Sequence, residues 1–165
     1  MDPSRDLDAD FPEPFHIGKK SGKSFAWDDA VIFVDFTKPP RRLRFGCYSD
    51  KGGEISDEMV DGRVINVQGL TWKAEEWHHI IITFENFNSG KPDASWVFYL
   101  DGNEVGRKSG LRQDLSWEIE SLVVRFNHYK YPGKVDEIAI FDKFLTSDEA
   151  RYLSKPKRPL NELLK

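Results

Sequence analysis

The chain is poor in cysteine, with one in 165 residues. Cys47 cannot close an internal disulfide, so packing must hold the fold. Its solitude says little about redox compartment, because secreted bacterial proteins often lack disulfides too. No apolar run approaches the roughly 18 residues of a membrane span. No signal peptide is read after Met1, so the expectation is either a cytoplasmic protein or a domain cut from a longer secreted one. A basic excess is also missing: 24 Lys and Arg stand against 28 Asp and Glu, for a net charge of −4. That argues against a dedicated nucleic-acid groove, and the charges read as a solvated surface. The length suits one domain, able to bury roughly 70% of its unfolded surface.

Aromatic residues are plentiful. Five Trp and 12 Phe are many for a helical protein, and with the β-branched residues they point to sheet. Period-two alternation predicts strands at Ala30 to Phe36, around Leu43, Phe45 and Cys47, and at Arg63 to Leu70. The richest stretch is Trp77 to Gly102. There Ile80, Ile82 and Phe84 share one face, and His79, Ile81 and Thr83 the other. Trp96, Phe98 and Leu100 alternate with Val97 and Tyr99. Both faces are apolar, as for central strands. Asp101-Gly102 suits the positive φ of a hairpin turn, and Glu104-Val105-Gly106 starts the return strand. Further strands are predicted at Leu122 to Phe126 and at Lys134 to Phe141. Thr146-Ser147-Asp148-Glu149 is a capping box opening a short helix through Leu153. Residues 1–24 read as a flexible N-terminal arm, 25–153 as the domain and 154–165 as a basic tail. Of the tryptophans, Trp27, Trp77 and Trp96 are assigned to the core.

Two segments imitate ligand loops. Asp6-Leu7-Asp8-Ala9-Asp10 spaces three carboxylates like the start of a calcium loop, but Phe11 replaces the turn glycine and Ile17 the bidentate glutamate. Gly18 to Ser24 ends in Gly-Lys-Ser like a phosphate loop, yet it is one residue short. Strand rather than helix is predicted after it.

Four short motifs then line up: Trp77-His78-His79, Tyr99-Leu100-Asp101-Gly102, Gly133-Lys134-Val135-Asp136-Glu137, and Leu145-Thr146-Ser147-Asp148-Glu149. In this order and spacing they resemble the laminin-G-like jelly-roll domain of the concanavalin A-like lectin and glucanase superfamily. The resemblance implies an all-β fold, an antiparallel jelly-roll β-sandwich with one short C-terminal helix. It covers residues 77 to 153 well and the front of the chain poorly, so the first family strands are expected to be missing or reshaped. A missing strand would leave a sheet edge for a partner chain or the N-terminal arm to cover.

The superfamily includes glycoside hydrolases whose carboxylates alternate along one strand face, about 5 Å apart. No Glu-x-Asp-x-x-Glu or near variant occurs. Glu118 and Glu120 are followed by Leu122, and Asp136 and Glu137 point to opposite faces. No enzymatic activity is expected. His78 and His79 diverge on a strand, His16 and His128 are isolated in sequence, and Cys47 has no evident base. His79 is assigned to packing. The resemblance admits a structural calcium ion at the sandwich rim, but no contiguous motif marks one, and no other cofactor is expected.

The binding candidates are Asn127, His128, Tyr129 and Tyr131, in a loop with Lys130, and Trp117. Trp72 is a weaker one. Sugars stack on aromatic rings, and Asn or His can hydrogen-bond their hydroxyls. The expectation is a non-catalytic lectin-like module recognising a glycan through rim loops. The alternative is a protein-interaction or spacer domain, with a protein partner or self-association through a sheet edge. Either would belong to a longer secreted chain, without nucleic acid and without a membrane span.

Overall fold

The computed structural model describes residues 7, 11–19, 30–47, 62–73, 75–114, 120 and 122–155. The strands and helix given for the described residues are β1 (Glu13–Lys19), β2 (Ala30–Phe36), β3 (Leu43–Cys47), β4 (Val64–Val67), β5 (Ile80–Glu85), β6 (Ala94–Leu100), β7 (Asn103–Leu111), β8 (Leu122–His128) and α1 (Ser147–Leu153). They build two antiparallel sheets, one ordered β4-β3-β2-β1-β8 and the other β5-β6-β7.

The alternation read in the sequence becomes two cores. Trp96 and Phe98 of β6 pack between the sheets with Phe36, Leu43, Phe45 and Cys47, and Ile80, Ile82 and Leu100 flank them. Val97 and Tyr99 face the other way, into a second cluster with Ile81, Leu145 and Ala150, closed by Phe141, Phe144 and Leu153. β6 is therefore buried on both sides because the helix region covers what would otherwise be an outer face. The capping box forms as its sequence suggests: Glu149 N donates to Thr146 Oγ1, and Thr146 N donates to the Glu149 carboxylate. The Lys143 ammonium beside the carboxylate, followed by these bonds, holds the Glu149 pKa down to about 2. On the outer face of the larger sheet, cross-strand partners Asp35 and Arg44 form a bidentate ion pair, with Nε to Oδ1 at 2.7 Å.

Three expectations are corrected. Residues 13–19 are not part of a flexible arm; they form β1, paired on both sides between β2 and β8. Only Phe15 and Ile17 of Glu-Pro-Phe-His-Ile-Gly-Lys are strongly apolar, and burial of His16 and Gly18 on the other face hides the pattern. The strand wanting at the front of the fold thus comes from the arm itself. Second, Lys134 to Phe141 forms no ladder. Glu137 is left-handed at φ 53°, and Ile140 is 88% exposed; alternating apolar residues make a strand only where a partner edge accepts them. Third, Trp77 precedes β5 and is 65% exposed, so it is not core, whereas Trp96 is fully buried. Trp27 lies outside the described residues, as do Asp6, Asp8 and Asp10 of the acidic imitation and residues 20–24 of the phosphate-loop imitation. Of the latter, Gly18 and Lys19 end β1.

The β6–β7 turn has Asp101 at φ 51° and Gly102 at φ 77°, the two positive values of a type I′ hairpin. A Cβ on Gly102 would lie 2.2 Å from Ser154 Oγ and 3.2 Å from Arg151 Cα. Gly102→Ala should therefore strain the turn and push α1 off the sheet together, costing about 1 kcal/mol or more. Urea denaturation checks this through a lowered midpoint at unchanged slope.

Candidate functional site

Asp101 gathers the end of the sandwich nearest this turn. Its Oδ1 accepts from His79 N at 2.8 Å, its Oδ2 from His78 Nδ1 at 2.9 Å, and its own N donates to His79 O at 2.8 Å. The Trp-His-His and Asp-Gly motifs, apart in sequence, are thus one hydrogen-bonded unit. His78 so held stacks flat on Trp72, with centroids 4.0 Å apart and planes 9° apart. Trp72 meets Phe36 edge-on at 5.7 Å. A cleft of about 330 Å³ opens here, lined by Gln68, Thr71, Trp72, Asp101 and Asn103 among others.

Phe36 also receives Tyr131, stacked with planes 5° apart and centroids at 6.1 Å. The Trp72 cleft and the Asn127 to Tyr131 segment therefore both reach one buried ring, Phe36. Tyr131 is half-buried, and burial raises its phenol above the ordinary range. Gly133 makes room for it, since a Cβ there would stand 2.4 Å from the Tyr131 ring. Asn127 and His128 are the last residues of β8 rather than loop. Left-handed backbone at Asn127 (φ 52°), Tyr129 (φ 39°) and Lys130 (φ 55°) turns the chain sharply. Asn127 is exposed, and Tyr129 is 36% exposed. His128 instead turns inward to Glu13, with Nε2 3.7 Å from Oε2. Trp117 and Glu118 lie outside the described residues.

The sequence does not mark Asp101 as a junction. The signal available was the pairing of Trp-His-His with Asp-Gly, whose physical reason is the shared carboxylate. The sequence also keeps His16 and His128 apart, although their rings are 4.9 Å apart, edge to face. With Glu13 they are the group among the described residues that could hold a metal ion. Two imidazoles and a carboxylate are the wrong donors for calcium, which takes 6–8 oxygens.

A laminin-G family model matches residues 17–151, the greater part of the chain, and its description is the concanavalin A-like lectin/glucanases superfamily. The chain belongs to that superfamily. Among curated proteins none matches. Of solved structures, an S-layer domain-containing protein of Clostridium thermocellum (residues 221–444) is similar at 16% identity and TM-score 0.34. The alignment covers 90% of this chain and 65% of that one. A likeness of that size carries no inference about function. As a laminin-G-like member of the superfamily, the chain has the two antiparallel sheets and short helix that such a sandwich requires. No helix among the described residues is long and apolar enough to cross a membrane.

Burial pushes the His79 imidazole below its ordinary range, and the Asp101 carboxylate opposes that shift. The unfolded chain takes up this proton near pH 6.5, the folded chain only at lower pH. Stability from His79 is therefore complete above about pH 6.5 and declines as pH falls below it. Denaturation measured across this range should show that decline, with a shallower slope in His79→Gln.

Proposed function

We propose that the chain is a non-catalytic, lectin-like binding module that recognises a glycan at the end of the sandwich around Phe36. The observation that carries this is the aromatic rim itself: the exposed Tyr129 on a turn anchored by Tyr131, and the cleft at Trp72, with Tyr131 and Trp72 both packed on Phe36. An aromatic face beside amide, hydroxyl and carboxylate groups is the combination that binds sugars, stacking their C–H faces and pairing their hydroxyls. Gln68, Thr71 and Asn103 supply such groups in the cleft. The absence of the hydrolase carboxylate spacing from the sequence supports binding without catalysis. In this reading the domain serves a longer extracellular chain, and a rim calcium remains an arm of the experiment.

A glycan panel screened with calcium and with chelator tests this. Wild-type protein should retain at least one polysaccharide, and Tyr129→Ala should weaken that binding roughly tenfold or more with the fold intact by circular dichroism. No retention of any glycan under either condition would reject the reading.

A second reading, a protein-interaction domain, is favoured by Val124 and Phe126, which are 46% and 38% exposed. They lie on β8, at one end of the strand order of its sheet. An edge strand with apolar side chains is a template for another chain.

A further inference from the structure

Glu13 and His128 are directly opposite each other where β1 and β8 meet. His16 follows Glu13 by three residues, and a regular pleat would turn it to the opposite face. Pro14 and the left-handed Asn127 lie at this end of the ladder, and there the three side chains converge. His16 Nδ1 is 3.0 Å from Glu13 Oε1, and His128 Nε2 is 3.7 Å from Glu13 Oε2. One donor atom from each residue falls within 4.8 Å of the others.

We propose that Glu13, His16 and His128 form a binding site for a transition-metal dication of the zinc class, clipping the start of β1 to the end of β8. The donors are those zinc prefers, with bonds of about 2.0–2.2 Å, so side-chain shifts on the order of an ångström would complete the site. Three protein ligands leave a fourth position for water or an outside ligand.

A second observation points to a missing partner. His16 is 1% exposed, and its Nε2 is buried with no hydrogen-bond partner. Buried polar atoms are seldom left so, because the desolvation cost goes unpaid. Since Nδ1 already faces Glu13, only an ion taken at Nε2 would satisfy that orphaned nitrogen, with Nδ1 left to hydrogen-bond Glu13. The site does not depend on glycan recognition, and its donors differ from the oxygen set of a rim calcium.

Tag-free, chelator-treated full chain titrated with Zn²⁺ and with Co²⁺ tests it. One ion per chain should bind, the Co²⁺ form should show the visible bands of a low-coordinate nitrogen-containing site, and excess Ca²⁺ should not compete. His128→Ala and Glu13→Gln should each weaken binding by at least about tenfold. The wild-type Co²⁺ spectrum and stoichiometry stand even if a variant fails to fold. Absence of stoichiometric binding, the spectrum of hexaaqua cobalt, or equal affinity in folded His128→Ala, meaning an adventitious ion only, would overturn the proposal.

Discussion

Burial of both faces of β6 is the constraint on which the rest of the structure depends. Trp96 and Phe98 need the larger sheet on one side, while Val97 and Tyr99 need a second cover on the other. That second demand explains why the chain after β8 must return across the small sheet. Leu145 N donates to Thr83 Oγ1 at 2.8 Å, fixing the return, and Ala150 then enters the second cluster. The capping box starts the helix where Ala150 and Leu153 face the sheet. Gly102 admits the helix end by having no side chain.

The same constraint positions the end proposed for binding. The β6–β7 turn is held by Asp101, which ties down His78 and His79 and thereby Trp72. The sharp turn after β8 sets Tyr131 against Phe36 and leaves Tyr129 partly exposed. Division of labour between neighbouring aromatics, one packed and one exposed, follows from backbone handedness at Asn127, Tyr129 and Lys130. In the proposed reading, binding falls to loops carried by a rigid scaffold.

Elements whose signal is local were legible in the sequence. The 80–84 and 96–100 alternations, the Asp-Gly turn and the capping box each state their geometry within a few residues. β1 was hidden because its buried outward position is a histidine, whose burial depends on Glu13 and cannot be read as hydrophobicity. Lys134 to Phe141 misled in the opposite sense: its apolar alternation is real, but strand formation requires an edge as well as a pattern. In the site, the turn bearing Tyr129 and Tyr131 was visible from composition. The Asp101 junction and the Glu13, His16 and His128 group were not, because each joins residues from different strands and exists only once register is set.

Native-state hydrogen exchange resolved by residue tests the two-faced burial of β6 most directly. Amides of Trp96 to Tyr99 should exchange only through global unfolding, tracking its denaturant dependence, while amides of residues 134–140 exchange far faster through local openings. Fast exchange across β6, or protection of 134–140 equal to that of β6, would contradict it.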